Sequence, residues 1–522
     1  MTAPPAAAGP SQYTVDVRMY RALEEAPVGG EEKYAGLLGD CFLIRLRDPA
    51  QNKQSTILID CGLLLGSPDA VPRMERIAKD IVAVCGGDVD AGKPGVLDLL
   101  VVTHRHWDHI SGFAQAGDIL LDPAKLKIGK LWMSWAEGPE GEAQELQARF
   151  EATTTAFTAI AAELARNSAR FGADASRRAL NGLDAFLGLG AAGSLTSAQI
   201  MDKIRECVAD KEFLEPGKVR RTPAASGAPS LRTFVLGPPR DKKFLFKDDP
   251  TAGDGKETFL DAPATDVSHL LGLADQGKAD ASHDSPFARS YCELLADKVK
   301  PGADDGCLSP ADREAVKWLR KHYFGARSDK ALERRRIDHD WLGIFSPLAA
   351  KLDRHINNTS LALAFELPDG SVMLFPADAQ VGNWLSWHKH DYVDEDGRTL
   401  KAADLLARTR FYKVGHHGSH NATLDAQGLA LMTRGDLVAM IPTDEALGKR
   451  QGKHGWRMPD PVVDAPLRER TANKILRNDG RYSAQDRRAN PGQTPSDAFF
   501  DGLTETRLYL EYRVYDPKEL SQ

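Results

Sequence analysis

The sequence VLDLLVVTHRHWDHI, residues 96–110, holds the pattern that decides the fold of this 522-residue chain. Its first half is continuously apolar, which is typical of a strand buried on both faces. Its second half places His104, His106, Asp108 and His109 directly after that strand. Imidazoles and carboxylates bind divalent cations, and ligands of α/β proteins bind at the carboxyl ends of strands. The pattern predicts a metal centre at a sheet edge, against the alternative of a His-rich capping loop.

Strand and helix patterns on either side of this stretch predict an α/β protein. Upstream, residues 13–62 contain three strand-like runs, and residues 70–84 have the three- and four-residue apolar spacing of a helix. Downstream, residues 359–379 read as two strands joined by a polar Pro-Asp-Gly turn, and residues 410–415 as another strand. The predicted core is therefore built of two strand-rich halves.

Changes in composition divide the chain into this core and two insertions. We expect a disordered N-terminus, a first half of the core, a helical insertion, further core strands, a second insertion of helix and loop, and a second half of the core with a C-terminal extension. These segments are residues 1–12, 13–135, 136–214, 215–240, 241–351 and 352–522. The alanine-rich helical texture of the insertions predicts packing or an oligomer contact.

Composition excludes several classes of protein. The chain has 67 Lys and Arg against 74 Asp and Glu, a net charge of −7, and 42% hydrophobic residues, which is ordinary globular composition. No stretch approaches the roughly 18 apolar residues of a membrane span, and the N-terminus lacks the features of a signal peptide. Six cysteines without a CxxC pair indicate reduced thiols. We therefore expect a cytoplasmic protein that does not associate with membranes.

Two further motifs follow strands in the second half of the core. FPADA, residues 375–379, stands at the end of a predicted hairpin strand and carries Asp378. VGHHGSH, residues 414–420, contains a second histidine cluster with His416 and His417. Taken alone, an aspartate at a strand end is more often solvated than a ligand. The second cluster is independent of the first and strengthens the prediction of a metal site.

The HxHxDH motif after a buried strand resembles the signature of the metallo-β-lactamase superfamily. That resemblance implies a four-layer αββα sandwich that holds one or two metal ions, here with two largely helical insertions. It implies that His104 and His106 bind the first ion and that Asp108 and His109 bind the second. Zinc is the default for such donors, with Mn²⁺ or Fe²⁺ as alternatives.

The resemblance assigns roles to residues of the other motifs. Asp60, at the end of the strand ILIDCG, has the place of a supporting residue behind the metal ligands. Asp378 has the place of the bridging carboxylate, with Ala377 where the family usually has glycine. His416 is expected to be the final ligand, because phosphodiesterase-type members with a similar His-x-Gly-Ser/Thr stretch use the first histidine. His417 is then a candidate proton donor or phosphate contact.

One position departs from the family pattern. Asn358 stands where many members supply a third histidine to the first metal, and His355 is an alternative ligand. The departure is shared with a subfamily: residues 39–44 (GDCFLI), the IDCG strand end and residues 413–419 (KVGHHGS) resemble the metallo-β-lactamase-like domain of ComEC competence DNA-uptake proteins. Domains of that kind are regarded as nucleases.

These expectations combine into a metal-dependent hydrolase, with Asp108 anchoring the nucleophilic water and His417 protonating the leaving group. A phosphodiester or nucleic acid is the expected substrate, and basic runs at residues 218–221, 334–336 and 449–450 would contact phosphates if they rim the cleft. Solvated basic faces are the alternative for each run. Two other functions stay open: hydrolysis of a small lactone, ester or lactam, and a metal-stabilised interaction module without catalysis.

Overall fold

The computed structural model describes residues 13–23, 36–166, 195–247, 309–322, 353–450, 455–489 and 495–518. The chain divides into two compact units. The first consists of residues 1–151, 184–263 and 351–522, and the second of residues 152–183 and 264–350. The predicted N-terminal disorder, most of the second insertion and the basic run at residues 334–336 lie outside the described residues.

Seventeen strands are present in the described residues, all of them in the first unit. They are β1 Thr14–Tyr20, β2 Phe42–Asp48, β3 Lys53–Ile59, β4 Gly95–Val102, β5 Leu126–Ser134, β6 Lys211–Leu214, β7 Val219–Arg221, β8 Arg232–Gly237, β9 Ala362–Glu366, β10 Val372–Phe375, β11 Tyr392–Val393, β12 Thr399–Leu400, β13 Thr409–Lys413, β14 Val438–Ile441, β15 Ile475–Arg477, β16 Leu503–Glu505 and β17 Tyr509–Tyr515.

The helices of the described residues are mostly short. They are α1 Ala70–Val84, α2 Trp107–Ile110, α3 Gly112–Gln115, α4 Gly117–Leu120, α5 Gly141–Arg166, α6 Ser197–Cys207, α7 Lys242–Leu245, α8 Pro310–His322, α9 Val381–Trp387, α10 Ala402–Ala407, α11 Glu445–Gly448, α12 Pro461–Thr471, α13 Ala484–Ala489 and α14 Asp497–Asp501. Of the second unit the structure describes residues 152–166 and 309–322, which are helical. None of the described helices is both long and apolar enough to cross a bilayer.

The first large sheet has eight strands in the order β16-β17-β1-β2-β3-β4-β5-β6. Strands β3 to β6 are parallel, and the pairs from β16 to β3 are antiparallel. The C-terminal strand β17 pairs with β1, so both ends of the described chain lie in one sheet. Residues 211–214, which we placed in the helical insertion, form β6 at its edge.

The second large sheet has seven strands in the order β15-β14-β13-β10-β9-β8-β7. Strands β9 and β10 form the predicted antiparallel hairpin across the Pro-Asp-Gly turn, and β10, β13, β14 and β15 are parallel. Strands β11 and β12 form a separate small pair. The predicted mixed α/β class is confirmed, with two large sheets in one unit.

Alternation along β4 shows how apolar residues connect the layers. Leu99 and Val101 belong to an apolar cluster shared by both large sheets. Leu100 and Val102 belong to a second cluster that joins the first sheet to α1 and α6. A third cluster joins the second sheet to α9 and α10. A strand buried on both faces needs apolar residues at every position, which is why the continuous run at residues 99–102 predicted it.

Candidate metal centre

Four loops meet where strands β3, β4, β10 and β13 reach their carboxyl ends. They carry Asp60, the segment from Thr103 to His109, Asp378, and the pair His416 and His417. The first two loops belong to the first sheet and the other two to the second. The four groups of predicted residues are thus brought together although up to 357 positions separate them in sequence, since His417 and Asp60 are residues 417 and 60.

His109 is held between two carboxylates. Its Nδ1 lies 2.8 Å from Asp60 Oδ2, and its Nε2 lies 3.2 Å from Asp378 Oδ2. Asp60 also accepts hydrogen bonds from the Thr103 amide and hydroxyl at 2.8 and 2.6 Å. Asp60 is fully buried, and its carboxylate can only accept, so His109 Nδ1 carries the proton. Asp60 thus accepts hydrogen bonds from both His109 and Thr103, and its supporting role behind a metal ligand stays a prediction.

His104 and His106 converge on one point. His104 Nε2 and His106 Nδ1 are 3.0 Å apart, a separation that suits two nitrogens bound to one cation about 2.0 Å from each. The outer nitrogen of His104, Nδ1, lies 3.0 Å from Thr103 Oγ1. Because that hydroxyl donates its proton to Asp60, it accepts from His104. The inner nitrogen of His104 is then free for a ligand.

His417 is close to Asp108. Its Nε2 lies 2.9 Å from Asp108 Oδ2, and its Nδ1 lies 2.7 Å from the carbonyl oxygen of Pro442. One ligand atom from each of Asp108, His109, Asp378 and His417 lies within 4.8 Å of the others, a spacing that could hold a metal ion. We expected His416 as the final ligand and His417 as proton donor, whereas the group of possible ligand atoms contains His417 and not His416.

His416 lies beside the carboxylate of Asp378. Its Nε2 is 3.9 Å from Asp378 Oδ2, and its backbone amide donates to Asp378 Oδ1 at 3.1 Å. His416 and His417 both have positive φ, 44° and 54°, a backbone conformation that residues other than glycine seldom adopt. Ala377 also has a positive φ, 53°, in the left-handed region that glycine adopts most readily.

The pocket carries more negative than positive charge. Asp40, Asp60 and Asp378 are buried, and Lys413, itself buried, pairs with Asp40 and lies 3.5 Å from Asp378 Oδ1. Burial alone would raise the pKa of Asp378, but the imidazole of His109 and other nearby cations lower it well below its ordinary value. Asp108 follows the same pattern, with its pKa lowered. Anionic carboxylates in a buried site require compensating cations.

The same charges act on the histidines. Burial favours the neutral imidazole of His109, but the surrounding carboxylates, Asp378 foremost, raise its pKa well above the ordinary value. Burial likewise opposes protonation of His417, and its hydrogen bond to Asp108 raises the pKa. His417 Nδ1 already donates to a carbonyl, so the Nε2 facing Asp108 carries either a second proton or a cation. A metal ion would replace that proton.

The donors fit a divalent cation on a second test. His109 Nε2, which faces Asp378, is a buried nitrogen without a hydrogen-bond partner among the described residues. Unpaired buried polar atoms cost free energy and are rare away from functional sites. The residues can therefore hold a metal ion, whose identity these contacts leave open.

Asn358 and His355, the departure from the family pattern and the alternative ligand, contact other parts of the fold. Asn358 donates from Nδ2 to the Lys247 carbonyl oxygen at 3.0 Å, and its Oδ1 accepts from the Asn383 amide at 3.3 Å, so its amide is engaged by other parts of the fold. His355 packs edge-on against Phe246 with ring centroids 5.1 Å apart.

The basic runs within the described residues are paired with protein groups. Arg220 bonds Glu212, and Arg221 bonds Glu395. Lys449 pairs with Glu445 of α11. These contacts match the solvated-face alternative better than a surface reserved for phosphates.

Sequence reasoning missed three residues of the pocket: Asp40, Lys413 and Asp353. Asp40 and Lys413 stand inside the quoted motifs GDCFLI and KVGHHGS, so the signal was present but carried no assigned role. Asp353 has no motif around it, and its Oδ1 lies 3.5 Å from His106 Nε2. Free cysteines also border the site, with Cys41 and Cys61 sulfurs 3.6 Å apart.

The chain was compared with protein families, curated proteins and solved structures. No protein-family model matches the chain. No curated protein and no solved structure shows significant similarity to it. Function therefore has to be inferred from the chemistry of the site.

Proposed function

We propose that this chain is a metal-dependent hydrolase of the metallo-β-lactamase type, acting on phosphodiester bonds. The observation that carries the proposal is the buried, net negative pocket in which Asp108, His109, Asp378 and His417 converge within 4.8 Å. Burial of such a set without a cation would be costly, whereas a divalent ion satisfies both the carboxylates and the unpaired Nε2 of His109.

The arrangement of the sheets supports the fold part of the proposal. One apolar cluster is shared by the two large sheets, and each sheet contributes its other face to a separate cluster with helices. This is the order of layers expected for the αββα sandwich of the superfamily. All four site loops leave carboxyl strand ends, which is where ligands of such sheets bind.

We assign the ligands to two ions. His104 Nε2 and His106 Nδ1 would hold the first, and Asp108, His109 and His417 the second, with Asp378 between them. Divalent cations, when bound, supply an activated water and stabilise negative charge that develops on the substrate.

The remaining steps belong to the chain's own groups. Asp60 and Thr103 fix the imidazoles of His109 and His104 through their outer nitrogens. Lys413 holds Asp378 and the Ala377 carbonyl in place, with its Nζ 3.1 Å from that oxygen. His416 has an 18% exposed side chain beside Asp378 and is the imidazole best placed to hand a proton to a leaving group. This exchanges the roles that we first gave to His416 and His417.

The substrate class rests on the resemblance of KVGHHGS to nuclease-type domains, because the described basic runs are already paired. A second candidate, hydrolysis of a small lactone, ester or lactam, is favoured by a cleft of mixed character. Its apolar lining comes from Trp135, Leu146, Leu245 and Phe246. Residues of both predicted insertions form it, and Phe246 touches His355, two positions from Asp353.

Metal content and hydrolysis together test the proposal. Purified protein should contain zinc or another divalent metal and hydrolyse bis(p-nitrophenyl) phosphate and linear DNA, and Asp108→Ala should bind less metal and lose the hydrolytic activity. Asp118→Ala is the matched control, because its side chain is 73% exposed and lies outside the site. Metal with no diesterase activity would move the assignment to lactones and esters. No metal in the purified or metal-replenished wild type would refute the catalytic assignment.

A further inference from the structure

Three of the histidines in the metal centre share one arrangement. The outer Nδ1 of His104 donates to Thr103, that of His109 to Asp60, and that of His417 to the Pro442 carbonyl, at 3.0, 2.8 and 2.7 Å. In each case the outer partner fixes the tautomer, so Nε2 presents its lone pair to the centre. Such outer hydrogen bonds orient metal-binding imidazoles and raise their basicity.

His106 has the opposite orientation. Its Nδ1 faces inward, 3.0 Å from His104 Nε2, and its Nε2 faces outward. Within the described ranges this buried Nε2 has no hydrogen-bond partner. The carboxylate next to it belongs to Asp353, whose Oδ1 is 3.5 Å away, and the two side chains are only 9% and 14% exposed.

The Asp353 carboxylate is itself held in position. Its Oδ2 accepts a hydrogen bond from Asn357 Nδ2 at 3.2 Å, one turn further along the helical residues 353–357. Asn357 is fully buried. One oxygen is thus engaged by the helix, and the other is directed towards His106. A contraction of about 0.5 Å would bring this contact to ordinary hydrogen-bond length.

We propose that Asp353 is a positioning residue that accepts the Nε2 proton of His106 and so fixes its Nδ1 as a ligand of the first metal ion. This inference rests on the proposed metal centre. It explains how the first-ion side can function although Asn358 supplies no imidazole: the two histidines that remain are each held by an outer partner, Thr103 for His104 and Asp353 for His106.

Zinc affinity measured by competition with a chromophoric chelator tests the role without relying on activity. Asp353→Ala should weaken binding of the first ion, the one that His104 and His106 would hold, by about 10- to 100-fold and leave the other unchanged. Asp353→Asn keeps an oxygen acceptor facing His106 and should retain most of the affinity. The exposed-site variant Asp118→Ala should bind both ions as the wild type does, and urea unfolding of each variant checks that it is folded.

A double-mutant cycle separates positioning from other effects. If Asp353 acts through His106, then the double variant Asp353→Ala/His106→Ala should bind zinc no more weakly than His106→Ala. Equal losses in Asp353→Asn and Asp353→Ala would overturn the hydrogen-bond role, because they would mean that the charge itself is needed. Wild-type affinity in Asp353→Ala would also overturn it while leaving the metal centre intact. A wild type that binds no zinc would overturn both proposals.

Discussion

Replacing Lys413 by methionine should strongly destabilise the metal-free protein. Lys413 is 1% exposed and Asp40 is 3% exposed, so both charges of this pair are buried. Removing one partner of a buried pair leaves the other charge uncompensated, which costs about 3–5 kcal/mol. The variant also loses the hydrogen bond from Nζ to the Ala377 carbonyl. Burial opposes the charge on Lys413, but Asp40 and then Asp378 outweigh it and raise its pKa.

Urea unfolding in the presence of a chelator measures this effect. The lysine pKa is raised in the folded state, so its contribution is fully present below the ordinary lysine value and is lost only as pH rises beyond it. The gap between wild type and Lys413→Met should therefore stay constant from pH 7 to about 9. Lys401→Met removes an exposed ion pair and should cost no more than about 1 kcal/mol.

A matched variant gives the outcome that would refute the reasoning. Asp40→Asn/Lys413→Met removes both charges together, so it should be more stable than Lys413→Met alone. If Lys413→Met costs less than about 1 kcal/mol, or if the two substitutions are simply additive, the pair does not compensate buried charge. Saturating zinc should reduce the difference in unfolding free energy between wild type and Lys413→Met, because it brings positive charge to Asp378, which Lys413 also faces.

Three other predictions concern the metal loops. Binding of zinc should release protons from the imidazoles of His109 and His417, because the neighbouring carboxylates raise the pKa of both. His417→Ala should release fewer protons than the wild type. Calorimetry in buffers of different ionisation enthalpy measures the release, and equal release by the two proteins would contradict the assignment. Gly62→Ala places a Cβ 2.5 Å from the Asp108 carbonyl, so it should cost about 1–3 kcal/mol and weaken zinc binding, whereas Gly117→Ala, whose Cβ meets its first neighbour at 3.9 Å, should do neither. Asn358→His should not strengthen zinc binding, because it breaks two buried hydrogen bonds at a cost of about 1–3 kcal/mol each; tighter binding in a competition assay would show that the position points at the metal after all.

The parts of the fold that local sequence controls were predictable. Helix α1 begins and ends at the predicted residues, 70 and 84, because its apolar spacing is uninterrupted. The β9–β10 hairpin follows from its tight turn. The place of β6 in the first sheet was missed, because a four-residue strand at a sheet edge has too few residues to show a period.

The site residues likewise divide into those that local sequence indicates and those that depend on packing. Four of the site residues lie within the six-residue HxHxDH motif, and both their spacing and the preceding strand are visible in the sequence. The contact of Asp353 with His106 joins residues 247 positions apart, since they are residues 353 and 106, and follows from packing that no local pattern records. Which of His416 and His417 faces Asp108 depends on the backbone angles of both residues, which have left-handed φ. Two identical side chains in sequence give no sign of that backbone conformation.

Backbone strain at these loops favours catalysis over a purely structural role for the site. Ala377, His416 and His417 all have positive φ, and each such residue costs of the order of 1 kcal/mol or more. Glycine at these positions would relieve the strain. An interaction module without catalysis would be more stable with glycine in place of Ala377. The strained backbone instead brings the His417 imidazole against Asp108 and the His416 imidazole beside Asp378, where it is partly open to solvent. One buried imidazole is enough to complete an ion's ligands, whereas a second, accessible one is useful where a proton has to move.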